Sequence, residues 1–147
     1  MMDPKLLNAR RQARRLGMQA IYQWLMADTD LNDLEAQFKA QDESKRADLE
    51  YFHELIFKVA EHSELISAIL VNHTSIPLNE IDPVERSVLL VAIYELKFRL
   101  DIPFKVVINE AVGLAKKFGA EEGHKFVNGI LDKVAHELRV LELQATR

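Results

Sequence analysis

Apolar residues recur three and four positions apart along almost the whole of this chain, and that spacing constrains the fold more than any other feature. A seam at Ala9, Ala13, Leu16/Gly17, Ala20/Ile21 and Trp24 predicts a first helix from about Pro4 to Ala27. Asp3 supplies its N-cap and Pro4 its first helical position. Gly17 costs about 0.5–1 kcal/mol relative to Ala inside a helix, so it predicts close approach by a neighbour. A short helix near Leu31 to Ala40 is expected next. Leu49, Phe52, Leu55/Ile56, Val59, Leu65/Ile66, Ile69 and Leu70 predict one longer helix from about Ser44 to Asn72. Residues 72–79, with Pro77, read as a loop. Asp82-Pro83 repeats the start signal, and a helix to about Leu100 follows that is apolar on most sides. Such a helix belongs at the buried centre. Pro103 opens another, stopped by Gly119. The last starts near Gly123, and its seam of Val127, Leu131, Val134, Leu138 and Leu141 is one that packs on another helix. Alternation of the strand type is missing over any useful length. The expectation is an all-α, compact domain of six or seven helices over residues 1–147, with 1–9 as a frayed basic arm.

At 147 residues one domain is the prior, and a chain of this size buries about 68–70% of its unfolded surface. With no Cys, disulfides, thiolate metal sites and Cys nucleophiles are excluded. The longest apolar run, Val88 to Tyr94, is far short of the roughly 18 residues a membrane span needs. The N-terminus has no apolar signal core. A cytoplasmic protein with no membrane contact is therefore expected. Gly-rich nucleotide loops, His-Glu-x-x-His and Gly-x-Ser-x-Gly are all missing, so no enzyme class is indicated and no cofactor is expected. His62 and His73, if on one helix, stand about 16 Å apart, too far to share a metal.

Charge is distributed unevenly. Residues 1–15 carry Lys5, Arg10, Arg11, Arg14 and Arg15 against Asp3 alone. Residues 28–50 carry eight acids against three cations and suggest no more than a solvated face. Arg11, Arg15, Met18 and Tyr22 fall on one helical stripe, with Arg10 and Arg14 beside it. Guanidinium forks grip phosphates, and a tyrosine face stacks on bases, so this pattern suits single-stranded RNA. A solvated helix end with Tyr22 at the core edge fits the same residues. A second cluster, Lys125-Phe126-Val127-Asn128-Gly129, lies near a helix start with Lys125, Asn128 and Gly129 outward and Phe126 at the boundary. Cation, amide and ring beside free helix N–H groups suit a phosphate and a stacked base. A boundary phenylalanine with a glycine chosen for packing fits equally.

These two segments, with Tyr94-Glu95-Leu96, Pro103-Phe104-Lys105-Val106-Val107-Ile108-Asn109-Glu110-Ala111, Ala115-Lys116-Lys117-Phe118-Gly119 and His124-Lys125-Phe126-Val127-Asn128-Gly129-Ile130-Leu131-Asp132-Lys133, resemble the NusB family of bacterial transcription antitermination factors. The likeness runs from about Arg10 to Lys133. It implies two packed three-helix bundles and a non-enzyme. It also implies a pairing with a small-subunit ribosomal protein, called NusE in that role. The pair would bind single-stranded boxA RNA and help load the antitermination complex on RNA polymerase, mainly in ribosomal RNA transcription. Carried over, the RNA contacts are Arg10, Arg11, Arg14, Tyr22, Lys125, Phe126 and Asn128, with Glu85, Arg86 and Glu122 on a partner or composite surface. Gln12 interrupts the arginine run, Arg15 stands where an acid is often found, and Gly123 replaces a common serine, where it is expected to serve as N-cap.

RNA cytosine methyltransferases carry a similar helical domain, but this sequence lacks the cysteine that their chemistry needs. A protein-interaction bundle with an incidental basic end is the other alternative. A homodimer remains open.

Overall fold

The computed structural model describes residues 3–145, and the described residues form eight α-helices with two 3₁₀ turns and no strand. They divide into two compact units, residues 1–61 and 62–147.

The first unit holds α1 (Pro4–Ala27), α2 (Leu31–Lys39), a 3₁₀ turn (Asp42–Arg46) and α3 (Leu49–Glu61). Asp3 caps α1 by accepting from Lys5 N at 2.8 Å, with Pro4 following, so residues 4–9 are helical and exposed or half-buried; residues 1 and 2 lie outside the described residues. Gly17 permits the close approach its cost implied: a Cβ there would stand 3.1 Å from Leu55 Cδ1 on α3. Phe52, Leu55, Ile56 and Val59 of α3 are fully buried, with Leu16 and Ile21 of α1 and Leu34 of α2. The acids of residues 28–50 do more than solvate. Asp30 caps α2 through Asn32 N and Asp33 N, Asp48 Oδ1 accepts from Tyr51 N at α3's first turn, and Glu35 pairs with Lys39 and His53.

The second unit holds α4 (Ser63–Val71), a 3₁₀ turn (Leu78–Glu80), α5 (Pro83–Phe98), α6 (Phe104–Phe118), α7 (Gly123–Leu138) and α8 (Val140–Ala145). Helix α5 is its centre, with Ser87 through Leu96 all buried. Asp82 caps it through Val84 N at 2.9 Å and Glu85 N at 3.3 Å.

Two expected helices are broken. The helix expected from Ser44 to Asn72 is instead a 3₁₀ turn, α3 and α4, interrupted at His62 (φ −102°, ψ 17°). The apolar seam has no member at 62 or 63, where His and Ser stand, so no packing rewards continuing the helix there. The last helix ends at Leu138, and Leu141, expected on its seam, is 82% exposed. The cause is Arg139, buried at 4% exposure with φ −121° and ψ 39°. Its guanidinium donates to Leu96 O (2.9 Å), Glu95 O (3.2 Å) and Arg99 O (3.0 Å) at the C-terminus of α5, to Ile102 O (2.9 Å), and to Glu142 Oε1 (2.6 Å). Glu142 Oε2 in turn accepts from Phe104 N, the first amide of α6, at 2.9 Å. One ion pair, buried on its arginine side, thus satisfies the carbonyls of Leu96 and Ile102, adds a charged donor to Glu95 O and Arg99 O, which already accept from Arg99 N and Ile102 N, and satisfies an orphan amide at the start of α6.

Candidate functional site

On α1 the arginines have unequal surroundings. Arg10 is half-buried with its guanidinium 4.9 Å from the centre of the Tyr51 ring; Arg14 is 5% exposed and 5.8 Å from the same ring. Tyr51 itself is buried. Cation–π attraction to a buried ring is worth up to ~2 kcal/mol, so Tyr51 holds Arg10 and Arg14 from below. Nothing in the pattern of α1 announces this partner, which sits on α3. Arg11 is the outward member, Arg15 is half-buried with Nε 3.1 Å from Gln12 Oε1, and Tyr22 is half-buried. The continuous stripe from Arg11 to Tyr22 is not found: Met18 between them is 2% exposed and belongs to the core. Arg14, expected as an RNA contact, is placed inward with little surface to offer.

On α7 the expected faces are found. Val127, Ile130, Leu131 and Val134 are buried, Lys125, Asn128 and Gly129 are exposed, and Phe126 is half-buried. Phe126 lines a cleft of about 370 Å³ with Lys125, Gly129, Ile130 and Lys133 from α7 and His73, Thr74, Ser75 and Ile76 from the segment after α4. Asn128 is not among the lining residues. Lys125 Nζ pairs with Glu122 at 2.7 Å, both exposed. His73 Nε2 and Glu137 Oε2 are 2.8 Å apart, which fixes the imidazole in the wall. Histidine offers a flat face for a base, as Phe does. In the sequence His73 raises only the question of a metal shared with His62; its place in this wall has no periodic signal, because it lies beyond a helix end.

Behind the start of α7, the α6–α7 turn rests on Glu85. This residue, expected on a partner-facing surface, is 5% exposed. A Cβ at Gly123 would stand 2.6 Å from Glu85 Cδ, and one at Gly119 would stand 2.7 Å from Ala115 O. Gly119 therefore stops α6 by leaving room, with φ −90° and ψ −177°, rather than by a left-handed cap. Gly123 is the first residue of α7 and Glu122 its N-cap, so the glycine serves carboxylate packing and not capping. Arg86 is half-buried and Glu122 exposed. Replacing Gly123 with Ala is expected to cost about 1–3 kcal/mol by overpacking, read from urea midpoints. Pairing it with Glu85→Ala should recover part of the loss, and equal losses in single and double variants would contradict this packing.

Burial, followed by the hydrogen bond and charge of Asp82, pushes the Glu85 carboxyl up to about 7. Its Oε2 is buried without a hydrogen-bond partner. The hydrogen bond from Glu85 holds Asp82 below its usual value. Because the folded value of Glu85 lies above its ordinary 4.5, the fold favours the protonated form. This carboxyl contributes stability that is full below about 4.5 and is lost as pH rises through about 7. Glu85→Gln is expected to flatten that decline when urea midpoints are followed from about pH 4.5 to 8. A variant whose midpoints fall with pH as steeply as the parent's would contradict the assignment.

Among the described residues no group of three or more His, Asp or Glu could hold a metal ion, and no helix is long and apolar enough to cross a membrane. What the two units present is a helical scaffold with one cationic cluster and one cation–aromatic cleft. The NusB family pattern matches residues 11–136. The chain is 52% identical to the transcription antitermination protein NusB of Teredinibacter turnerae over 139 residues, 94% of this chain and 95% of that protein. It is 49% identical to that of Serratia proteamaculans over 131 residues, 89% of this chain and 95% of that protein. Among solved structures, T. maritima NusB superposes with a TM-score of 0.80 at 32% identity, covering 98% of this chain and 99% of that one. A structure of the antitermination factors NusB and NusE in complex with dsRNA matches at a TM-score of 0.78 and 25% identity, covering 89% of this chain and 98% of that one. The chain belongs to the NusB family of transcription antitermination proteins.

Proposed function

We propose that this protein is an RNA-binding antitermination factor that acts by binding and not by catalysis. With a small-subunit ribosomal protein in the NusE role it binds single-stranded boxA-type RNA in the cytoplasm. The pair helps load the antitermination complex on RNA polymerase, mainly during ribosomal RNA transcription. Residues 1–147 serve this as one NusB-type domain. The observation that carries the reading is the α7 cleft, where Phe126 and His73 offer ring faces beside Lys125 and Lys133. Rings for bases beside cations for phosphates are what an unpaired strand requires, because a base inside a duplex has no free face. Arg10 and Arg11 supply further phosphate contacts on α1, where affinity is salt-sensitive and sequence-tolerant. The NusB–NusE–RNA complex among the structural neighbours supports the partner assignment.

Outside the basic arm the chain is net acidic, so a basic ribosomal partner should strengthen RNA binding. Titrating labelled boxA-type RNA with and without that partner tests this. Tighter binding with the partner is expected, and equal affinity in both titrations would count against cooperative loading. A protein-interaction bundle with no RNA role would bind the RNA in neither.

A further inference from the structure

A second cleft, of about 480 Å³, lies within the first unit between α1 and the 3₁₀ turn Asp42–Arg46. It is lined by Asn8, Gln12 and Arg15 from one stripe of α1 and by Asp42, Glu43 and Arg46 from the turn. We propose that this cleft takes one unpaired nucleotide, its phosphate between Arg15 and Arg46 and its base turned to the Glu43 and Asp42 carboxylates. The inference rests on the RNA-binding function proposed for this protein and extends the strand beyond the Arg10 and Arg11 contacts. Arg15 lies one turn, about 6 Å, further along α1 than Arg11, so a strand held at Arg11 reaches the cleft directly.

Three observations support it. The backbone of the walls is held before any ligand arrives. Ser44, 3% exposed, donates its hydroxyl to Lys39 O and Gln41 O, both at 2.8 Å, and Asp48 N donates to Ala9 O on α1 at 3.0 Å. The backbone of the turn that carries Glu43 and Arg46 is therefore tied at both ends, so the ordering left for binding is that of exposed side chains. The lining carries both signs of charge. Two guanidinium groups suit one phosphate, and carboxylates accept from base N–H groups. Lys45 pairs with Asp42 at 3.5 Å and draws off part of the negative field that would repel a phosphate, leaving Glu43 as the main acceptor. The volume is in the range of small-ligand sites and matches one nucleotide rather than a stretch of strand. Base donors decide the preference. Guanine presents an N–H and an amino group side by side to a carboxylate, whereas uracil flanks its single N–H with oxygens that the carboxylate repels.

The test uses full-length protein and fluorescence anisotropy. Three RNAs are compared: a boxA-type core, and the same core lengthened by two guanosines or by two uridines at each end. The parent should bind the guanosine-extended RNA about fivefold more tightly than the core. Arg46→Ala, at an exposed position of the turn, should remove that gain and lower the salt slope on the extended RNA by about 0.7, leaving core binding as it was. Glu43→Gln should erase the preference for guanosine over uridine. Equal binding of all three RNAs by the parent, or an Arg46→Ala protein that keeps the full gain, would overturn the subsite alone. A parent that binds none of them would overturn the RNA-binding function along with it.

Discussion

Arg139→Ala is expected to destabilise the protein by about 3–5 kcal/mol, more than the Gly123 or Glu85 substitutions. The change removes all five hydrogen bonds of the guanidinium at once. Three carbonyls at the end of α5 and that of Ile102 lose a charged donor. Glu142, only partly exposed, loses its counter-ion while still capping α6. Glu95 O and Arg99 O keep Arg99 N and Ile102 N, so Leu96 O, Ile102 O and Glu142 are the groups left short. Each such group costs about 1–3 kcal/mol, and the groups are coupled, so the sum is less than three times that. At roughly 2–4 °C per kcal/mol for a chain of this size, the melting temperature should fall by about 6–20 °C. Arg139→Lys should recover only part, because an ammonium has three donors on a point charge where the site needs a planar fork. A melting temperature within about 2 °C of the parent would show that Arg139 is a passenger in the interior.

Phe126→Ala should weaken RNA binding by about 1–3 kcal/mol, or about 5- to 150-fold, without unfolding the protein. The core of α7 is held by Val127, Ile130, Leu131 and Val134, all buried, whereas Phe126 stands half-exposed in its cleft. Phe126→Leu separates stacking from packing. Leucine keeps the apolar volume but has no ring face, so its affinity should fall nearly as far as that of alanine. Phe126→Tyr keeps the face and should bind like the parent. If Phe126→Leu binds as tightly as the parent, the ring does not stack on a base, and the cleft needs another occupant.

Signals in the sequence are legible where the chemistry is local. Asp3-Pro4 and Asp82-Pro83 start α1 and α5 as their capping oxygens and fixed proline geometry dictate. Gly17 marks where Leu55 approaches, and the outward faces of Lys125, Asn128 and Gly129 follow from the period of α7. What stays hidden depends on partners distant in sequence. A charged residue in a helical pattern is assigned to solvent, so Arg139 gives no sign that the end of α5, far earlier in the chain, needs a donor. Arg10 and Arg14 look like free surface charge until Tyr51 from α3 is placed beneath them. Glu85 looks like an exposed N-terminal acid until the two glycines of the α6–α7 turn close over it. Each candidate site is therefore legible in the part contributed by one helix and hidden in the part contributed by its neighbours.

The function proposed for this protein gives the α1 arginines phosphates to hold and the α7 cleft a base to stack. The most direct test is the salt dependence of binding to boxA-type RNA for the parent, Arg11→Ala and Phe126→Ala. Arg11→Ala is expected to lower the slope of log affinity against log salt by about 0.7, and Phe126→Ala to weaken binding at every salt concentration with the slope unchanged. Equal slopes and affinities in all three proteins would contradict that division of roles.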